Sequence, residues 1–239
     1  MNRKMDPERR NTIIAGIVII TGMIAGFLSV APAVDSAEYL SGAAKNPNQV
    51  LIGAVFQFIM SIAYLGFALA LYPIIKKCDQ GLALGFICFR IIASVLIVFG
   101  TIILVSILAL SQEYQRILPK DTANFEALGF LLKEARDLVN HVFMIIVLCI
   151  ANMLFYIIMI KSKFIPLWLS ICGVVATVLS AIASFFVLFG IVEIITSDYI
   201  ILNVPTALID IILAIWLIIK GFDKTQLAAM NEAHSSNFN

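Results

Sequence analysis

Residues 82–110 read LALGFICFRIIASVLIVFGTIILVSILAL, and Arg90 is the only charged side chain among them. An α-helix rises about 1.5 Å per residue, so about 20 apolar residues cross the roughly 30 Å hydrocarbon core of a bilayer. A helix at the surface of a soluble domain needs a polar face, and this stretch has none. The stretch therefore predicts a transmembrane helix.

Five further apolar runs of similar length occur along the chain, at about 12–31, 50–75, 138–160, 166–191 and 200–219. Over all 239 residues, 62% are hydrophobic and only 13% are charged, whereas soluble domains are about 25% charged. The sequence predicts one domain over residues 1–239, an all-α integral membrane bundle of six transmembrane helices. We expect the first helix to be retained rather than cleaved as a signal peptide, because its apolar run is longer than the roughly 7–15 residues of such segments.

Lysine and arginine residues near the helix ends collect on one side of the predicted bundle. They precede the first helix, occupy the turns after the second and fourth helices, and follow the sixth: Arg3, Lys4, Arg9, Arg10, Lys76, Lys77, Lys161, Lys163, Lys220 and Lys224. Cytoplasmic loops of membrane proteins carry such an excess of positive charge. The pattern predicts that both termini are cytoplasmic.

Two segments outside the apolar runs have their own character. Residues 124–137 carry apolar side chains at helical spacing on one face and charges on the other. This pattern predicts an amphipathic helix, lying at the outer interface or extending the fourth helix outward. The polar tail at 223–239 is expected to be disordered.

Three polar residues are predicted to lie at one depth inside the membrane, roughly 12–15 Å from the cytoplasmic helix ends. They are Arg90, Asn152 and Asp210. A charge at mid-helix costs about 2.5–3.5 kcal/mol on insertion scales, so we expect an ion pair between Arg90 and Asp210 with Asn152 beside it. The pair either locks the third helix to the sixth or forms a ligand-binding site or proton pathway, and the sequence leaves both open.

A second polar layer is predicted nearer the outer ends of the helices. It comprises Gln57, Asp137, Asn140, His141 and Asn203. Asp137 and His141 are four residues apart and should share a helix face, which predicts a polar cap with His141 bonded to Asp137. Glu134 lies one turn earlier, but a single helix would supply every ligand, so no metal is expected. No cofactor is expected either.

Several function classes lack support in the sequence. The chain has neither G-x-S-x-G nor H-E-x-x-H, and its sixteen Lys and Arg nearly balance fifteen Asp and Glu. Motif-based hydrolase chemistry is therefore unsupported, and no nucleic-acid partner is expected. Whether the protein is an enzyme stays open, with a non-enzymatic role favoured.

Short motifs in a fixed order carry a resemblance to a known family. They are LYPIIKK at 71–77, AL at 83–84, FR at 89–90, FIPL at 164–167 and AIWLIIKG at 214–221. The chain resembles the bacterial membrane proteins of unassigned function grouped as DUF4386, from the first helix to Gly221. The resemblance implies the same architecture and a bacterial plasma membrane, and it supplies no activity.

Two positions follow the pattern of that family, and one stretch departs from it. Arg90 matches an arginine of the family, and Asp210 stands where the family commonly has a glutamate. The family usually has more His and Tyr at the start of the fourth helix, where this chain reads DLVNH at 137–141. No role is therefore carried over to that stretch.

Three functions remain in competition. The leading hypothesis is a protein that binds a small solute or lipid within the bundle, for transport or sensing, at Arg90 and Asp210. The second is a structural or regulatory subunit of a membrane complex, suggested by the close-packing step at Gly22 and Gly26. The third is a membrane enzyme acting on a lipid or quinone through Asp137 and His141. Expected partners are membrane lipids and a small-molecule or lipid ligand, and a homo-oligomer is left open.

Overall fold

The computed structural model describes residues 5–116 and 122–236 of the chain. Within these residues, six helices are long and apolar enough to cross a membrane, which confirms the predicted all-α bundle of six transmembrane helices. Five of them are α1 (Pro7–Leu28), α4 (Pro47–Ile75), α5 (Gln80–Tyr114), α8 (Leu167–Leu188) and α9 (Ser197–Ile219). The remaining one is a continuous helix over Ala123–Ser162. It consists of α6 (Ala123–Leu138), a π-helical turn (Val139–Phe143) and α7 (Met144–Ser162).

The long helices are arranged as a closed ring. Each packs against the next in the order α1, α4, α5, α7, α8, α9, and α9 returns to α1. In this ring α5 and α9 have no neighbour in common, so they face each other across the centre. The ring therefore brings side chains from distant parts of the chain to one central space.

The amphipathic segment and the tail both form helices. The segment predicted at 124–137 is α6, which extends the fourth membrane helix at the end opposite the basic clusters. An extension of this helix was one of the two predicted alternatives. Its Leu132 and Ala135 pack with apolar residues of two short helices, α2 (Pro32–Asp35) and α3 (Tyr39–Lys45), and of α5. Leu128 and Leu131 of the same predicted face are exposed. The prediction of a disordered tail is wrong for 224–236, which form α10 (Lys224–Ser236). Leu227 and Met230 of α10 pack into the bundle and stabilise it, while residues 237–239 lie outside the described part.

Small side chains mediate the contacts between the helices. Apart from Leu169, the buried residues of α8 are all small: Ser170, Gly173, Ala176, Thr177, Ser180, Ala183 and Ser184. A Cβ atom at Gly173 would lie 2.1 Å from the ring of Tyr156, so only glycine permits this approach. Large apolar side chains such as Phe27 point away from the bundle. This arrangement is usual in membranes, where lipid solvates the large apolar residues and small residues let helices approach.

The close-packing step in the first helix is used within the chain. A Cβ atom at Gly22 would lie 3.2 Å from Ala63, and one at Gly26 would lie 3.2 Å from Met60. Both neighbours belong to α4. These glycines therefore serve the α1–α4 contact, and they do not indicate an interface with another protein.

The basic clusters meet at one end of the bundle, which we name the basic face. The guanidinium of Arg9 donates hydrogen bonds to the carbonyl oxygens of Leu217, Ile218 and Ile219, at the end of α9. Ion pairs join Lys77 to Glu8 at 3.0 Å and Lys161 to Asp79 at 3.1 Å. The starts of α1, α5 and α8 and the ends of α4, α7 and α9 thus share this face. The opposite end, which carries α2, α3 and α6, is named the far face.

Candidate functional site

Arg90 lies in the interior of the ring on α5, with only 7% of its surface exposed. Its Nη2 donates a hydrogen bond of 2.6 Å to Oδ1 of Asn152 on α7. Aromatic rings surround the guanidinium, with centroids 4.8 Å away for Phe67, 5.4 Å for Phe86 and 5.8 Å for Tyr64. Ring faces attract a cation, so these contacts offset part of the desolvation of the charge. The Nε atom of Arg90 is buried and has no hydrogen-bond partner among the described residues.

A cavity of about 50 Å³ lies beside this arginine in the centre of the ring. Its polar lining consists of Tyr64, Arg90, Asn152, Tyr156 and Asp210, and α1 closes it with apolar side chains. A polar cavity of this size has room for roughly one or two water molecules. The structure therefore places Arg90, Asn152 and Asp210, the three residues predicted to lie at one depth, on the walls of one polar cavity.

The predicted ion pair between Arg90 and Asp210 does not form as a direct contact. No ion pair within the described ranges joins them, and Asp210 faces the arginine from α9 across the cavity. The arginine instead bonds to Asn152, because α7 adjoins α5 in the ring whereas α9 lies opposite. Two opposite charges thus face one buried space without neutralising each other by contact.

The second predicted layer has different partners from those expected. His141 Nδ1 lies 3.1 Å from the hydroxyl of Tyr199 on α9, so the predicted bond from His141 to Asp137 is wrong. Asp137 instead pairs with Arg136 at 3.5 Å and with Lys133 at 3.7 Å. His141 lies within the π-helical turn over Val139–Phe143, and its side chain is directed to Tyr199 of α9.

The other members of that layer make separate contacts. Asn140 packs against Gly100 of α5, and its buried Oδ1 has no hydrogen-bond partner within residues 5–116 and 122–236. Asn203 donates to the carbonyl of Tyr199 on its own helix, at 2.9 Å. Gln57 is buried on α4. The contacts of these side chains run to different partners, and no group of three metal-ligating side chains is found in the described residues.

Several residues of the two sites were not foreseen from the sequence. Tyr64 and Tyr156 line the central cavity, and Phe67 and Phe86 cover the arginine. The sequence offered one signal for Tyr64 and Tyr156: each places a hydroxyl group in the middle of an apolar run. Tyr199, near the start of α9, is buried and pairs with His141.

These features define a multi-pass helical membrane protein whose centre holds a small cavity lined by opposite charges and aromatic rings. Residues 14–221 match the family model described as domain of unknown function (DUF4386). The chain belongs to this family, which confirms the resemblance carried by the motifs between 71 and 221. No curated protein and no solved structure matches the chain.

Proposed function

We propose that this protein binds a small polar solute between Arg90 and Asp210 and transports it across the membrane or senses it. The observation that carries the proposal is the pair of opposite charges on the walls of one central cavity, where Arg90 is buried and Asp210 is partly exposed. Ionisable residues inside a membrane are costly and usually face a partner or a pathway. A direct ion pair would have reduced that cost most, yet no ion pair in the described part of the chain joins the two side chains.

The chemistry of the walls selects a class of solute. A guanidinium is a planar fork of N–H donors that matches a carboxylate, and Arg90 keeps a buried Nε donor without a partner. Asp210 accepts hydrogen bonds from an ammonium or hydroxyl group. A small amino acid or hydroxy acid carries a carboxylate and, on the adjacent carbon, an ammonium or hydroxyl group. Tyr64 and Tyr156 add two hydroxyl groups on the same walls.

Binding such a solute requires the helices to move, because the cavity holds only about 50 Å³. Helix α9 has a proline inside it, Pro205, five residues before Asp210. A proline within a helix removes a backbone hydrogen bond and is a common site of kinking. Movement about Pro205 would displace Asp210 from Arg90 and widen the cavity. Opening of this kind fits transport or sensing better than a rigid structural role.

We place the protein in a bacterial plasma membrane with its basic face toward the cytoplasm. The support is the clustering of lysine and arginine at one face together with the positive-inside rule. An enzymatic role at the second layer has less support, because His141 pairs with Tyr199 and Asp137 is engaged by two cations.

The test is thermal unfolding of the purified protein in detergent with a panel of amino acids, hydroxy acids, simple carboxylates and amines. A solute present at 100 times its Kd stabilises the folded state by about 2.7 kcal/mol. We expect the amino or hydroxy acids to raise the unfolding temperature. Arg90→Gln and Asp210→Asn should abolish that rise.

Arg116→Gln is the matched control, because Arg116 is exposed and pairs only with Glu113 among the described residues. It should keep the stabilisation by the solute. The proposal fails if no member of the panel stabilises the protein, or if the stabilisation persists in the Arg90 and Asp210 variants. Uptake of the same solute into proteoliposomes then separates transport from sensing.

A further inference from the structure

A groove of about 740 Å³ opens at the basic face, between the turn that joins α7 to α8 and the junction of α9 with α10. The backbone N–H of Asp223 donates a 2.9 Å hydrogen bond to the carbonyl of Phe164 and holds the two walls together. None of the groove's residues lines the Arg90 cavity. The groove is therefore a separate feature of the fold.

Positive charge dominates the lining of the groove. Lys163, Lys220 and Lys224 line it and are exposed. No ion pair within the described part of the chain involves any of these three lysines. Asp223 is the one carboxylate of the lining, and it accepts hydrogen bonds from the backbone N–H groups of Thr225 and Gln226 at the start of α10. The groove consequently attracts anions.

Backbone donors add to the positive potential. Helix α8 begins at Leu167 and has no side chain that caps its first turn. The first N–H groups of a helix lack partners within it, and the helix dipole places partial positive charge at this end. Both Pro166 and Leu167 line the groove. A phosphate oxygen there would meet amide donors as well as ammonium groups.

The groove also lies at the ends of the membrane helices α7, α8 and α9, where lipid headgroups are expected. The ammonium of Lys220 lies 4.4 Å from the ring centroid of Trp216, an arrangement in which an amphipathic ring and a lysine share the membrane boundary. Leu167 and Ile219, at the ends of two membrane helices, are 57% and 69% exposed. An anion in the groove thus has the exposed side chain of Leu167 on the groove wall, and Ile219 precedes the groove residue Lys220 in the chain.

We propose that this groove binds the phosphate headgroup of an anionic membrane phospholipid. Lys163, Lys220 and Lys224 contact the phosphate oxygens, and the first turn of α8 donates backbone hydrogen bonds to them. The acyl chains run along the exposed side chains of Leu167 and Ile219. A soluble phosphate ester carries the same phosphate group, but it would leave the exposed apolar side chains of Leu167 and Ile219 uncovered.

The test is native mass spectrometry of the full chain in detergent, titrated with phosphatidylglycerol and, separately, with phosphatidylcholine. The native protein should bind phosphatidylglycerol more tightly. The double variant Lys163→Gln/Lys220→Gln should weaken that binding roughly tenfold or more, because each basic residue near the membrane surface strengthens the attraction to anionic lipid. Lys224→Gln alone should give a smaller loss.

The matched control is Lys45→Gln/Lys76→Gln, which removes the same charge outside the groove. It should leave phosphatidylglycerol binding within about twofold, as expected for exposed charges that do not contact the ligand. The proposal is overturned if both double variants lose affinity equally, or if phosphatidylcholine binds as tightly as phosphatidylglycerol. Competition by glycerol phosphate at the same concentration as the lipid would assign the groove to a soluble ester and also overturn it.

Discussion

Replacing Asn152 by leucine should lower the free energy of unfolding by about 2–3 kcal/mol. The amide accepts the 2.6 Å hydrogen bond from Arg90 in a buried site, and a hydrogen bond to a charged group contributes about 1.5–3 kcal/mol. The guanidinium already has one buried nitrogen without a partner, so losing Asn152 leaves a second. Leucine has the same number and branching of side-chain heavy atoms as asparagine and is somewhat larger, so little of the loss should come from an empty space.

The measurement is reversible unfolding in mixed micelles by titration with sodium dodecyl sulfate. Asn203→Leu is the matched control, because among the described residues that amide donates a hydrogen bond to the neutral carbonyl of Tyr199 on its own helix. Its expected cost is about 0.5–1.5 kcal/mol. A double-mutant cycle between Asn152→Leu and Arg90→Met should give a coupling energy of about 2 kcal/mol.

Equal losses of unfolding free energy for Asn152→Leu and Asn203→Leu would refute the reasoning. The hydrogen bond of Asn152 to a charged group would then contribute no more than the neutral hydrogen bond of Asn203. Additive effects of Asn152→Leu and Arg90→Met would refute it as well. Either result would mean that Arg90 has another acceptor in the bilayer, and that Asn152 does not hold the guanidinium at the cavity.

Three further predictions address the packing, the second polar layer and the basic face. Gly173→Ala should lower the free energy of unfolding by about 1–3 kcal/mol, because its new Cβ overlaps the ring of Tyr156. The control is Gly81→Ala, whose new Cβ would lie 3.6 Å from Oδ1 of Asp79. In the same titration it should leave the free energy of unfolding unchanged or raise it. Tyr199→Phe should cost about 0.5–1.5 kcal/mol through loss of the bond to His141, and an unchanged stability would contradict that bond. Burial raises the pKa of the Cys78 thiol to about 11, so with the other cysteines replaced its alkylation rate should keep rising with pH up to about 11. A plateau near pH 8.5, the ordinary thiol range of about 8–9, would show that the thiol is not buried.

The sequence alone determined the class of this protein and the depth of its polar residues. Six apolar runs of sufficient length require a bilayer, because no soluble fold can cover them, and the helical rise converts residue counts into depth. Arg90, Asn152 and Asp210 were therefore placed in one layer, and the structure brings them to one cavity. The motifs between 71 and 221 were sufficient to recognise the family.

The tertiary structure decided which of these residues touch. In a helix of a soluble protein the apolar stripe shows which face is buried. A membrane helix is apolar both toward lipid and toward protein, so its sequence says little about how the helix is rotated about its own axis. Arg90 bonds to Asn152 of the neighbouring α7, and His141 reaches Tyr199 of α9, which is not next to α7 in the ring. Neither contact leaves a clear periodic signal in the sequence. The helical tail likewise depends on Leu227 and Met230 reaching an apolar surface that exists only once the bundle has assembled.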